Sequence, residues 1–231
     1  MNASAINLHQ TQGRAVRLPL VEGMRHEEMR RRVCAPGEHL YRNGQPFRAV
    51  MVVETGSFKV CDLTEDGRER VTAFKLRGDC LGAESIDLAR YACDAVALEP
   101  SSCWEISYAA LLRAAAQTPG VQADLNAALA REIRNGASWM MALATLAADS
   151  RVAAFLLDMW HRGGPAGCVT AHFALRMSRM DMASFLGLKH ETISRSLAHL
   201  VERRYIRVCR RDVDVLDPVS YTHLTLPTKL L

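Results

Sequence analysis

The stretch Ser178-Arg-Met-Asp-Met-Ala-Ser-Phe-Leu-Gly-Leu-Lys-His-Glu-Thr-Ile-Ser-Arg-Ser-Leu-Ala-His-Leu-Val201 decides how this chain is read. Ser178 with Asp181 three residues later has the pattern of a capping box, with Asp a weaker partner than Glu. A short helix that buries Met182, Phe185 and Leu186 is expected to follow. Gly187 then supplies a tight turn, and a second helix runs from His190 to about Arg203. Two short helices joined by a glycine turn form a helix-turn-helix.

The second helix is two-faced. Ile193, Leu197, Leu200 and Val201 recur at helical spacing and form a core stripe. Glu191, Ser194 and Arg195 fall at i, i+3 and i+4, so they project together from another face. Near the start of a recognition helix, such side chains reach base edges. Arg bonds guanine O6 and N7, Glu accepts from cytosine N4, and Ser bonds either kind of edge. The plainer alternative is an exposed Glu191–Arg195 salt bridge. Downstream, Tyr205–Leu216 alternates in two runs around Arg210–Asp212, the pattern of a hairpin wing. Arg179, Lys189, Arg203, Arg204 and Arg210 are candidate phosphate contacts, which position a protein on DNA without reading its sequence.

Upstream, Arg151–His161 turns Val152, Ala153, Phe155, Leu156 and Met159 toward a core, ending at Gly163-Gly164-Pro165. Before it, Thr118-Pro119 opens a long helix. Leu125, Leu129, Ile133, Gly136, Met140, Leu143 and Ala147 trace a seam with a period close to 3.5 along it. Some thirty residues would span on the order of 45 Å, which favours a partner helix and a homodimer. Packing on the chain's own β-rich part is the alternative.

From Cys34 to about Glu105 short strand-like runs are cut by glycines, with Asp66-Gly67 a hairpin turn signal. Leu40-Tyr41, Val50–Val53, Phe58–Cys61 and Arg70–Phe74 are the clearest runs, and their spacing predicts a closed roll. Residues 1–33 read as an arm, its charged run Arg25–Arg32 a short helix or loose segment. The expected domains are thus arm 1–33, roll 34–117, dimerisation helix 118–148 and winged helix-turn-helix 149–218.

The 231 residues carry a formal net charge of +4. Residues 149–218 hold 11 Lys/Arg against 8 Asp/Glu, a net of +3, so the excess lies where phosphate contact is expected. No transmembrane run or secretory signal is read in the sequence, and the expectation is a cytoplasmic protein with no membrane partner. Seven cysteines, odd in number and never spaced as CxxC, predict reduced, packed thiols rather than a disulfide framework or a metal site. No P-loop, His-Glu-x-x-His or Gly-x-Ser-x-Gly pattern suggests an enzyme.

Ala35–Glu38, Asp66–Glu69, Arg77–Gly82, Trp104–Tyr108 and Leu186–Arg195 resemble the CRP/FNR family in order and spacing, over about residues 34–217. The resemblance implies an α+β chain: a double-stranded β-helix of the cyclic-nucleotide-binding type (a cupin-like roll), a long dimerisation helix and a winged helix-turn-helix. The function it implies is transcription regulation on double-stranded DNA, with RNA polymerase as a further partner. Glu191-Thr-Ile-Ser-Arg195 is similar to the FNR branch, which implies a TTGAT-N4-ATCAA-like palindrome.

Departures bear on the sensor. Gly82-Ala83 and Cys93-Asp94 stand where cyclic-AMP receptors have Gly-Glu and Arg-Ser, which disfavours cAMP. Residues 1–33 contain no cysteine, and Trp104 rather than Cys103 matches the further cluster ligand, which disfavours an iron–sulfur cluster. Lys189 replaces the usual capping Thr. The sensed signal and any cofactor stay unassigned, and a roll whose helix-turn-helix contacts protein instead of DNA is the rival reading. Residues 219–231 resemble a translated sequencing adapter and are expected to contribute nothing to the fold.

Overall fold

A computed structural model describes residues 18–64, 67–163 and 172–216. Asp66, Cys168, Gly164-Pro165, most of the arm and the adapter-like tail lie outside these residues. The chain divides into two compact units, Val16–Glu132 and a second that begins at Ile133.

The first unit is an antiparallel roll of two four-stranded sheets. One runs β1 (Met29–Cys34), β8 (Ser101–Ser107), β3 (Ala49–Thr55), β6 (Cys80–Leu81); the other runs β2 (His39–Tyr41), β7 (Asp94–Ala97), β4 (Phe58–Leu63), β5 (Glu69–Lys75). The apolar run of β3 is continuous because both its faces are covered. Met51 and Val53 join Phe58, Val60, Leu81 and Ala95 inside the roll. Val50 and Val52 face the other way, into a cluster with Ile106 of β8 and Leu111 of α2 (Tyr108–Gln117). That cluster also takes in Leu20 of the short helix α1 (Pro19–Glu22) and Val121 and Leu125 of α3 (Pro119–Thr145).

Two readings are corrected here. The charged run Arg25–Arg32 is neither helix nor loose arm over its second half: Met29–Arg32 enter strand β1, paired to β8 from Met29↔Ile106 to Cys34↔Ser101. At a sheet edge, outward charges such as Arg31 to Glu54 (2.5 Å) and Arg32 to Glu105 (3.0 Å) are accommodated, so pairing overrides local pattern. Leu125 is not free for a partner. It is 5% exposed in its own roll cluster, with Leu129 packed partly against it. The rest of the seam differs: Ile133 is 72% and Met140 67% exposed.

The second unit contains the last part of α3, then α4 (Ala148–Gly163), α5 (Arg179–Leu186), α6 (His190–Glu202) and a three-stranded sheet ordered β10 (Ile206–Cys209), β11 (Asp212–Val215), β9 (His172–Ala174). Its core is aromatic where three helices meet. Trp139 of α3 lies edge-on to Phe185 of α5 (centroids 4.9 Å), and Phe155 of α4 is 5.8 Å from Phe185. Arg151 of α4 donates to the carbonyls of Leu146, in the junction between α3 and α4 (2.8 Å), and of Leu186 at the end of α5 (3.2 Å).

Candidate nucleic-acid interface

The helix pair forms as its residues dictate. Ser178 caps α5: its Oγ accepts from Asp181 N–H (3.0 Å), while the Asp181 carboxylate accepts from Ser178 N–H (2.9 Å). Gly187 ends the helix in the left-handed conformation at φ 62°, where glycine meets no Cβ penalty. Lys189 starts α6 without a side-chain cap.

On α6, Ile193, Leu197 and Leu200 are buried. Val201, expected on this stripe, is instead 41% exposed. Ser196 and Val201 flank the stripe on opposite sides, and the buried flank is that of Ser196, which bonds to Asp149 of α4. Glu191 and Arg195 are exposed and Ser194 is partly so, on the face away from the core. Among the described residues no ion pair joins Glu191 to Arg195. Glu191 lies 3.1 Å from His190 Nδ1, and Arg195 donates to Thr192 Oγ1 at 3.5 Å. The Glu191 carboxyl is held below its ordinary range, first by its own backbone N–H and also by His190 and Lys189. It is therefore an ionised acceptor at neutral pH.

Arg179 donates to Ser194 Oγ at 3.3 Å, which links the two helices on this face. Arg179, Arg210 and Arg211 rim a half-open cleft of about 210 Å³ floored by Met177, Met182 and Leu197. Arg210 and Arg211 form the two-residue loop between β10 and β11, which pair Cys209↔Asp212. Lys189, Arg203, Arg204 and Arg210 are all exposed. The unit therefore carries exposed cations, three of them around one cleft, and three polar side chains that point away from their core.

Sequence reasoning missed three parts. Strand β9 is only three residues long, too short to register as a pattern. Arg211 lies inside the alternating wing run but was not singled out, although Arg210-Arg211 side by side at a turn was the available signal. Asp149 is 47 residues from Ser196, and no local signal marks that pairing.

A cyclic nucleotide-binding domain model matches residues 31–118, and a Crp-like helix-turn-helix domain model matches residues 150–220. The transcriptional activator protein Anr of Pseudomonas aeruginosa is 33% identical over 191 residues, covering 83% of this chain and 78% of that protein. The chain belongs to the CRP/FNR family of transcription regulators. Another relative, the fumarate and nitrate reduction regulatory protein of Vibrio cholerae, is 30% identical, over 84% of this chain and 78% of its own. The structure of FixK2 from Bradyrhizobium japonicum matches with a TM-score of 0.78 at 30% identity, over 87% of this chain and 99% of that one. As in that family, the second unit is a DNA-binding winged helix-turn-helix.

The family's roll raises the question of a cyclic nucleotide, and the residues present do not fit one. Glu84, next to Ala83, accepts from Tyr41 Oη–H and Cys93 Sγ–H, both at 3.0 Å. Asp94 accepts from Asn43 N–H at 2.6 Å and lies 3.4 Å from His39 Nε2. A third carboxyl, Asp62, is pushed up by burial and then by Glu84 and Asp94. A cyclic phosphate carries negative charge and needs cations, whereas three carboxylates gather here. Cys61, Cys80 and Cys103 are buried, and their thiols are pushed up to about 12, mainly by burial. No group of three or more His, Cys, Asp or Glu is placed to hold a metal among the described residues. Within the same residues, no helix is long and apolar enough to cross a membrane.

Proposed function

We propose that the protein acts as a homodimer on a TTGAT-N4-ATCAA-like palindrome, with Glu191, Ser194 and Arg195 reading bases and a signal received by the roll controlling it. One observation carries the reading: these three side chains face away from a core built by Ile193, Leu197 and Leu200 on the same helix. Arg179, Lys189, Arg203, Arg204 and Arg210, joined by Arg211, take phosphates on either side. Ile133, Gly136, Met140 and Leu143 of α3 meet a second copy, with Ala147 in the break between α3 and α4 rather than on the expected continuous helix 118–148, and two-fold symmetry sets half-sites about one DNA turn apart. The activator names of the relatives support activation, with RNA polymerase as the partner that receives it. The strongly exposed Ile133 and Met140 support the dimer, since large apolar side chains at that spacing want cover.

The test compares gel shifts on the TTGAT palindrome and on a guanine-substituted control at fixed moderate salt. Arg195→Ala is expected to lose roughly 1–3 kcal/mol of discrimination at the guanine position. Unaltered protein that binds both duplexes equally would overturn the palindrome. Affinity that does not fall with salt would favour the rival, a helix-turn-helix that contacts protein.

A further inference from the structure

Asp149 sits in the first turn of α4 and uses both carboxylate oxygens on α6. Oδ1 accepts from Ser196 Oγ–H at 2.6 Å, and Oδ2 lies 2.7 Å from His199 Nδ1. Ser196 and His199 are three residues apart, so they stand one above the other on a single flank of the helix. A two-point clamp on one flank fixes both the rotation of a helix about its axis and its position along that axis, which a single bond does not. The apolar stripe is a weaker constraint on rotation, because hydrophobic contact is non-directional.

Three further facts agree. Ser196 is 2% exposed, so its hydroxyl has few alternatives to Asp149. The Asp149 carboxyl is held below its ordinary range, first by the Ser196 hydroxyl and, against some burial, by His199 and Arg203. Arg151, two residues on, holds the carbonyls at the junction before α4 and at the end of α5. Asp149 and Arg151 thus hold α5 and α6 to one end of α4.

We infer that Asp149 is a positioning residue for sequence readout: through Ser196 and His199 it sets the rotation at which Glu191, Ser194 and Arg195 meet the bases. This inference rests on the base-reading role proposed above. Rotating α6 by even a few degrees moves the tips of long side chains such as Arg195 out of bidentate geometry. Phosphate contacts made by flexible arginines tolerate the same change. The clamp therefore acts on discrimination and not on general affinity.

The experiment measures Kd for the TTGAT palindrome and for the guanine-substituted control with the full chain. Asp149→Ala is expected to reduce the ratio of the two roughly tenfold, a typical size for removing a coupled pair of contacts, while affinity for the control stays within about twofold. Asp149→Asn, whose amide oxygen still accepts from Ser196, is expected to recover most of the ratio. In a Ser196→Ala, His199→Ala background, Asp149→Ala is expected to change nothing further. His199→Ala alone removes one of the two points and gives an intermediate ratio, which keeps the test open should Asp149→Ala fold poorly. An unchanged ratio in Asp149→Ala, or an equal loss on both duplexes, overturns the clamp and leaves base reading intact. Equal binding of both duplexes by unaltered protein overturns base reading, and the clamp with it.

Discussion

Arg204 and Arg210 hold φ at 58° and 56°, the left-handed region that an L side chain enters at a cost of about 1–2 kcal/mol. At Arg204 the reason is a helix stop: its N–H donates to Val201 O (2.9 Å) and Tyr205 N–H to Leu200 O (3.0 Å), a Schellman arrangement that usually places glycine there. Arg204→Gly is expected to raise stability by about half a kcal/mol after the entropy of glycine is set against the relieved strain. If Arg204 meets a phosphate, the same change lowers the slope of log affinity against log salt by about one. Denaturant melts and a salt series on one duplex measure both. Asp62 offers a test with pH. Its folded value is raised, so its ionised form destabilises the fold at neutral pH, and the cost fades as pH falls to its unfolded value near 3.9. Asp62→Asn is therefore expected to raise Tm at pH 7 and to leave it unchanged at about pH 3.5. A Tm gain that persists in acid would show that packing, not charge, is responsible.

At the scale of elements, α3 changes character along its length. Leu125 is held by the roll, whereas Ile133, Met140 and Met141 are exposed. Replacing Ile133 and Met140 together with Glu is expected to give a folded monomer by sedimentation with an unchanged circular dichroism spectrum; a persistent dimer would place the interface elsewhere. How far the sequence disclosed these elements depends on how local their causes are. Strand β3 was legible as Val50-Met-Val-Val53, because burial on both faces leaves a continuous apolar run. The capping box of Ser178 and the turn at Gly187 were legible from three or four residues each. Strand β1 was not, because Arg30-Arg-Arg32 is strand only by virtue of pairing with β8. Nor could the 3.5-residue seam tell Leu125 from Ile133, since one stripe keeps its period along a helix whatever covers each part of it. The readout trio was visible as spacing; Asp149, which reaches α6 across 47 residues, was not.

For the molecule as a whole, the thiols among the described residues sort by burial. Cys34, Cys61, Cys80, Cys93 and Cys103 are buried in the roll, and Cys209 is exposed on β10. Only thiolate reacts with alkylating agents, and values pushed up to about 12 leave almost none on Cys61, Cys80 and Cys103 at neutral pH. Brief iodoacetamide treatment followed by peptide mass spectrometry is expected to find Cys209 modified and those five intact. Labelling of the five at the rate of Cys209 would mean that the roll opens readily in solution.

Strand β1 closes one side of its sheet with Arg30, Arg31 and Arg32 in a row, and so has a use beyond the roll's own architecture. While a chain emerges from the ribosome beside its siblings, an unguarded border of amides and carbonyls invites the neighbouring copy to stitch on. A newcomer aligned along this border would have to bring its own arginines against these, or strip the carboxylates Glu54 and Glu105 of their present cations. The border thereby discourages fibril-like growth, and it does so with the same kind of side chain that, at the other end of the chain, is expected to greet DNA.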